Sequence, residues 1–502
     1  MVADNSTSPQ ILRKLGHSEH FSSTRHHLGI YRCVTVSCRH LYPQSSPSLP
    51  QGVEISPSFF AALASIVKQQ PALRVGITGE DSGNAHFTHI PQFDLRDHVS
   101  VQSVPCETAQ EYEDKIAEHQ GWEHDQKWQD LETRPPWRIT ILRPTSNNEA
   151  ILSQLGGQED VFFAFHHSLM DGTSGRLFHE LLLSALAAHQ DQDKEIPTEL
   201  SFPEPASLPE PLEAAVNFTL SFRFVVSILW NHFAPSFLKP KKQPIWSAKP
   251  VDFALAFKTR IKPVDISPET LSVLLDACRS HSVTLTALLH SLVLASLAKR
   301  LSSSPAESPA FVSGTPINLR PYLTKKPDDK TSGSTTLRCL VSTCDHQFSP
   351  KTISALRAPD ADINALIWEN ALQVKKELAA KLALTPRDDI TAMLKFVGDW
   401  DAFWRGKDGK PRTESWEISN IGVLKSAETA NNSPKATRML FSNGAMVAGP
   451  PIGVDVASVA GSKLTVSLSW QDTIVDDELM DQLRSDLRGY ADKFSETGSS
   501  FV

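Results

Sequence analysis

Hydrophobic and polar positions fall into two rhythms along this chain. Between Leu464 and Trp470 they alternate, with Leu464, Val466, Leu468 and Trp470 on one face and Thr465, Ser467 and Ser469 on the other, which predicts a strand. Soon afterwards Leu479, Leu483, Leu487, Tyr490 and Phe494 recur at three- and four-residue steps, the stripe of an amphipathic helix. Pro57 to Gln70 reads as a helix, with Ser56 as its cap and Pro57 in its first turn. Leu73 to Thr78 reads as a strand. Ser267-Pro268-Glu269 opens another helix, and Thr284 or Thr286 starts one rich in Leu and Ala that runs through Leu301. Phe311 to Asn318 reads as a strand. Both halves mix the two element types, so the expected class is α/β (α+β).

Prolines break this pattern in the middle of the chain. Pro197, Pro203, Pro205, Pro209 and Pro211 are followed by Pro235, Pro240, Pro244 and Pro250. Proline removes backbone donors and disfavours regular elements, so the stretch reads as a crossover between domains. The expected division is 1–200, a crossover over 201–250, and 251–502. Within the crossover, Ala214 to Trp230 is strongly apolar but short for a spanning helix and interrupted by Asn217 and Arg223. It is read as a buried or amphipathic helix, with peripheral contact to a membrane or lipid surface as the sharper alternative. Ser302 to Ser308 and Pro327 to Ser334 read as surface loops.

With 502 residues, 40% hydrophobic and 21% charged, the chain suits a globular protein of more than one domain. A net charge of −8 without a basic stripe argues against nucleic acid as a partner. Cys33, Cys38, Cys106, Cys278, Cys339 and Cys344 are widely spread, form no C-x-x-C, and read as reduced thiols. The first residues lack the apolar core of a signal peptide, so a cytoplasmic location is expected.

Candidate chemistry is concentrated in VFFAFHHSLMDGTSG, Val161 to Gly175. Val161 to Phe165 reads as a buried strand, and Gly175 leads into a helix with Leu177, Phe178, Leu181, Leu182, Ala185 and Leu186 inward and Thr173 or Ser174 as cap. His167 and Asp171, in an H-x-x-x-D-G arrangement, then fall where a strand ends and a helix begins. A neutral imidazole can take a proton from an alcohol or amine that attacks a thioester, and such assistance contributes on the order of 10²–10⁴ in rate. Asp171 either orients the imidazole or turns away to pair with an arginine. A structural histidine is the plainer reading of such a motif, and of His166 beside it. No further His, Cys or Glu set at ligand spacing stands near it, so no metal is expected.

These residues resemble the fungal alcohol acetyltransferase family of the chloramphenicol acetyltransferase-like superfamily, which includes plant BAHD acyltransferases and peptide-synthetase condensation domains. RKLGHSEHFSSTRHHLGIY (Arg13 to Tyr31) is similar to the family's opening. PPWRITILRP is similar to its tryptophan–arginine strand, and HHSLMDG to the superfamily signature. Val283 to Ala298, TPINLRPYL (Thr315 to Leu323) and WEISNIGVL (Trp416 to Leu424) resemble later segments in the same order. The resemblance implies two similar subdomains, each a mixed sheet with flanking helices, and an active-site tunnel between them. It implies acetyl transfer from acetyl-CoA or another acyl-CoA, a co-substrate rather than a bound cofactor, to an alcohol or a secondary-metabolite hydroxyl. His167 would be the general base, Asp171 a structural ion pair followed by Gly172, Arg320 its candidate partner, and Asn318 a support for that turn. Ser419 and Asn420 are candidates for the oxyanion donor or for a strand-end turn. A monomer is expected.

The plant branch's D-F-G-W-G is missing, and Gly449-Pro450-Pro451-Ile452-Gly453 is the segment that could stand in its place. CoA contacts therefore stay unassigned, with Arg338, Lys325 and Lys326 as basic candidates. Two other readings remain: an N-acylating or condensation-like enzyme that uses a carrier-protein thioester, and a ligand-binding scaffold that has kept the fold alone.

Overall fold

The computed structural model describes residues 9–43, 52–189, 196–234, 243–301, 309–324, 335–425 and 433–502. Two mixed sheets organise these residues. The first is five-stranded, in the order Lys435–Ser442, Val34–Leu41, Gln158–Phe165, Trp137–Thr145, Val99–Pro105. The second is six-stranded, in the order Thr259–Ile266, Leu464–Gln471, Ile452–Val459, Trp416–Leu424, Phe311–Asn318, Val341–Phe348. Each sheet mixes parallel and antiparallel neighbours and has its own apolar core. Lys325, Lys326 and the two loops read over 302–308 and 327–334 lie outside the described residues.

Local chemistry accounts for most of the element boundaries. The Ser56 side chain accepts from Phe59 N at the start of Pro57–Gln69, Ser267 accepts from Thr270 N before Pro268–Ser280, and Thr284 accepts from Ala287 N before Leu285–Arg300. The expected strand over 73–78 is shortened to Val75–Thr78. Pro71 fixes a tight turn over Pro71–Arg74, in which Leu73 N donates to Gln70 O at 3.0 Å. Leu464–Gln471 is buried on both faces, because its Ser and Thr side look into the space between the lobes rather than to solvent.

The apolar segment 214–230 is not one helix, and only its start, at Ala215 and Val216, is buried. A short helix, Leu212–Ala215, gives way to extended pairing of Val216 with Leu323 and of Thr219 with Arg387. A second helix, Phe222–Phe233, is pinned at its start by Ser221, whose N and Oγ donate to the two oxygens of Asp388 at 2.6 and 2.9 Å. Beyond that tie it projects outward, with Phe222 85% exposed and Val226, Leu229 and Trp230 also exposed. Among the described residues no single helix is long and apolar enough to cross a membrane.

One strand crosses the division expected at 200 and 251. Lys435–Ser442 leaves the second lobe and pairs antiparallel with Val34–Leu41, at the edge of the first sheet. Arg438 on this strand is buried and binds Glu113 Oε2 at 2.8 Å in the first lobe and Asp265 Oδ1 at 3.0 Å in the second. Burial pushes both carboxyl groups up, but the Arg438 charge together with Arg39 at Glu113, and with Lys463 and Thr465 at Asp265, outweighs it and both end below their ordinary values. Stability from these groups is therefore present above the ordinary carboxylate range and is lost as pH falls through their depressed values. Arg438→Ala is expected to cost about 3 kcal/mol, the low end for breaking a buried pair because both carboxylates are partly exposed. Urea unfolding near neutral pH measures this loss, and an unchanged midpoint would show that the bridge contributes nothing.

Candidate active site

The His167 loop begins at the end of Gln158–Phe165, a strand held between Val34–Leu41 and Trp137–Thr145. His166 N donates to Pro136 O at 2.9 Å and Leu169 N to His166 O at 3.0 Å, which closes a tight turn. The helix Gly172–Ala188 follows. Its cap is Asp171, whose Oδ1 accepts from Ser174 N at 2.8 Å, and not the expected Thr173 or Ser174. Capping one turn earlier lets one carboxylate close the loop and start the helix together. Gly172 carries no side chain because a Cβ there would stand 2.8 Å from Ile421 Cγ2 and from Phe441 Cζ, both contributed by the second half of the chain.

His167 is fixed through one nitrogen. Its Nδ1 lies 3.0 Å from Met170 O, a pure acceptor, so Nδ1 carries the proton and Nε2 keeps its lone pair. Burial, followed by the charge of Arg25, lowers its pKa to about 4, so the ring is neutral at physiological pH. The Tyr31 ring lies 5.7 Å from it, centroid to centroid, and Cys339 Sγ lies 3.9 Å from Nδ1. Burial holds the Cys339 thiol well above its ordinary value, which keeps it protonated and a poor nucleophile.

Asp171 turns away from His167 and meets Arg320. Arg320 Nη1 and Nη2 donate to the two carboxylate oxygens at 2.9 and 3.0 Å, and Leu340 N donates to Oδ2 at 2.9 Å. Burial raises the Asp171 pKa, but the Arg320 charge and the hydrogen bonds outweigh it and hold the group below its ordinary value. Arg320 also donates to Ser174 Oγ at 2.8 Å and Arg338 O at 3.0 Å, so the pair ties the first lobe's helix to two segments of the second. Asn318 Oδ1 accepts from Arg320 N and Nη1 at 3.0 and 3.2 Å, which holds the arginine in place.

Other predicted residues lie elsewhere. Ser419 is buried opposite Asp455 on the neighbouring strand. Asn420 donates to Thr286 Oγ1 at 3.1 Å and accepts from Gly422 N at 2.9 Å, where a bulge puts Gly422 at φ +82°. None of these contacts reaches His167. Arg338 is buried, with Nη2 donating to Glu210 O at 2.6 Å, and is not an exposed cation on a CoA path. Gly449 O accepts from Arg412 Nη1 at 2.7 Å, which fixes the turn before Ile452–Val459.

Several groups around His167 have no signal in local sequence pattern. Arg25 packs over Phe21 and Tyr31, at 4.5 and 4.4 Å from the ring centroids. Tyr31 OH donates to Asn443 Oδ1 at 3.2 Å, and Asn443 N and Nδ2 donate to Asp455, each at 2.9 Å. Glu417 and Glu414 continue this acidic wall across Gly314, where a Cβ would stand 2.8 Å from Glu414 Oε2. Burial first, then mutual repulsion, raises Glu414 to about 8 and Glu417 to about 7; burial raises Asp455 to about 7. Arg25 and Tyr31 belong to the opening segment noted in the sequence, which was the one hint to them.

Behind His167, Glu80 bridges His26 Nδ1 at 2.7 Å and His166 Nε2 at 3.2 Å. The remaining nitrogens accept backbone N–H groups, His26 Nε2 from Trp128 at 3.4 Å and His166 Nδ1 from Ser168 at 3.1 Å. Every ring nitrogen is used, so this trio braces the loop and offers no lone pair to a metal. His166 is a structural histidine beside His167.

Arg320→Ala is expected to destabilise the protein by about 3–5 kcal/mol, because it leaves the buried Asp171 carboxylate without its counter-charge. Asp171→Asn should lose both activity and order in the loop. A fully active Asp171→Asn variant with an unchanged unfolding midpoint would remove the ion pair from any role.

Comparisons with known proteins agree with this geometry. The family described as "Alcohol acetyltransferase" matches residues 125–491. A probable alcohol acetyltransferase, FCK4 of Fusarium pseudograminearum (strain CS3096), is 29% identical over 487 residues, covering 95% of this chain and 94% of that protein. A second, crmB of Aspergillus fumigatus, is 27% identical and covers 95% of this chain and 99% of its own. Among solved structures, the TRI3 trichothecene 15-O-acetyltransferase of Fusarium sporotrichioides shares the fold, with a TM-score of 0.67 at 13% identity over 97% of this chain and 95% of that one. The first condensation domain of the CDA synthetase shares it too, with a TM-score of 0.59 at 12% identity over 97% of each chain. With the family matched across most of its length, a histidine loop braced between two mixed sheets, and acetyltransferases as its full-length relatives, the chain belongs to the alcohol acetyltransferase family and is an acyltransferase.

Proposed function

We propose that this enzyme moves an acetyl group directly from acetyl-CoA to the hydroxyl of a small-molecule alcohol or secondary metabolite, with His167 as general base. The observation that carries the proposal is the fixed imidazole: Nδ1–H is held by Met170 O, which leaves a neutral ring with Nε2 available. Nε2 takes the acceptor's proton as its oxygen attacks the thioester carbonyl. Collapse of the tetrahedral intermediate expels the CoA thiolate, which recovers the proton from the imidazolium. Enzyme atoms form no covalent bond in this route, consistent with the protonated Cys339 beside the histidine.

The acidic wall of Glu414, Glu417 and Asp455 supports an assignment of sides. These carboxyl groups offer the phosphates of CoA no counter-charge, so the wall belongs to the acceptor's approach and the donor enters elsewhere. Carboxyl groups that gain and lose protons near neutrality suit an acceptor rich in hydroxyl or amine groups. Both lobes of the site come from one chain, which supports action as a monomer.

Thiol release from acetyl-CoA against a panel of alcohols and amines tests the proposal. His167→Ala is expected to lower acceptor-dependent release by about 10²–10⁴-fold while leaving the unfolding midpoint near that of the wild type. Release by neither protein from acetyl-CoA, with release from an acyl-loaded carrier protein, would move the donor to a carrier thioester. The active form is the neutral imidazole, so His167 itself should impose no fall in kcat/KM until pH approaches about 4. An acid limb near the ordinary histidine value that persists in Glu417→Gln and Asp455→Asn variants would contradict the buried setting.

We further propose that a cytoplasmic protein of this shape touches lipid through Phe222, Val226, Leu229 and Trp230, spaced to form one apolar stripe on an outward helix. Co-flotation with phosphatidylcholine vesicles should be reduced in a Phe222→Ser/Trp230→Ser double variant. Equal flotation of both proteins, or of neither, would reject this contact.

A further inference from the structure

A second cluster of chemistry-bearing side chains lies in the core of the first lobe, separate from the acyl-transfer site. Cys38 and His40 stand two residues apart on the strand Val34–Leu41 and so share one face of it. The helix Gly172–Ala188 packs against that face and brings in His179. The ligand atoms of Cys38, His40 and His179 all lie within 4.8 Å of one another, and all three side chains are 0% exposed.

Their hydrogen bonding sets this trio apart from the braced trio behind His167. His179 Nε2 donates to Val36 O at 3.0 Å, which fixes its tautomer and leaves Nδ1 with a lone pair and no partner. His40 has no hydrogen-bond partner at either nitrogen, and its Nδ1 stands 3.9 Å from Glu159 Oε1, beyond hydrogen-bonding range. Leaving a buried polar atom unpaired costs about 1–3 kcal/mol, so three such nitrogens in one place are a large debt for a core. A ring held by a backbone carbonyl, with its other nitrogen facing a thiol and a second imidazole, is how proteins orient metal ligands.

We propose that Cys38, His40 and His179 bind a zinc ion, with the fourth position left to a donor from solvent. Sulfur and imidazole donors in one small group favour zinc over calcium or magnesium, which take oxygen. Binding replaces the Cys38 S–H bond with S–Zn, and the thiol proton leaves to solvent. Glu159 beside His40 accepts from Tyr42 OH at 2.9 Å and Arg143 Nε at 3.1 Å, so both its oxygens are engaged and it stays outside the ligand set. The ion would clamp the strand to the helix that begins at Asp171, and would act on acyl transfer only through the order of that helix.

Metal analysis of untagged protein, purified without added zinc or chelator, gives the first readout. About one zinc per chain is expected, with a lower unfolding midpoint after chelation and its recovery on zinc addition. Replacement by cobalt(II) should give the intense near-ultraviolet band of a thiolate–cobalt bond. That band should vanish in Cys38→Ser, while His179→Asn should weaken binding by more than the ~10–100-fold that loss of an outer partner causes. His167→Ala should retain the ion, which separates this site from the acyl-transfer reading. Folded wild type that holds no metal, shows no midpoint shift with zinc and gives no thiolate–cobalt band overturns the proposal, whether or not the variants fold. Equal zinc in wild type and Cys38→Ser overturns it as well, as an adventitious ion only.

Discussion

The pairing of Asp171 with Arg320 is the contact on which the rest of the site depends. One carboxylate caps a helix, accepts two charged hydrogen bonds and receives a backbone N–H from the far side of the molecule. A group that does all this cannot also orient the imidazole, and the task passes to Met170 O. The signature's aspartate thus fixes where the loop is, and the loop's own backbone fixes which nitrogen of His167 is free. An ion pair taken out of water at this depth contributes little net stability by itself. Its value here is register, since it selects one arrangement of the two lobes around one histidine.

Around that anchor the molecule concentrates titratable groups that lack simple partners. Arg25 lies under Tyr31, and the carboxyl groups of Glu414, Glu417 and Asp455 gather along the second sheet. Buried charge of this kind is retained where chemistry or recognition needs it. The same sheet explains why Leu464–Gln471 has a polar face that never meets bulk solvent: Ser469 Oγ donates to Asp455 Oδ2 at 3.3 Å inside the interlobe space.

Much of the fold was legible because its cues are local. Ser56, Ser267 and Thr284 are caps that any reader of the sequence finds, and the strand Phe311–Asn318 has the bounds read from the sequence. His167 and Asp171 stood out for the same reason, since six consecutive residues, His167 to Gly172, carry the motif. Arg320, 149 residues further along, was reached only through resemblance. Arg25, Tyr31 and Asn443 were not reached as site residues, because no spacing in the chain records that they converge. The segment 214–230 was read as one buried or amphipathic helix; it is two helices, the second exposed, because apolar composition states what a helix prefers to contact and not whether a neighbour is supplied. Arg338, a basic candidate for CoA, is instead buried, because composition does not state which cation a backbone carbonyl will claim.

The strand Lys435–Ser442 has a consequence in time. The first sheet takes its edge strand from residues made long after its centre, so Val34–Leu41 waits for some four hundred further residues before its outer hydrogen bonds are filled. A nascent chain grows by roughly 5–20 residues each second, which leaves that edge open for tens of seconds. During synthesis the first lobe is therefore an unfinished sheet, exposed to whatever else offers a strand, and it becomes a stable body only when the second lobe is almost complete.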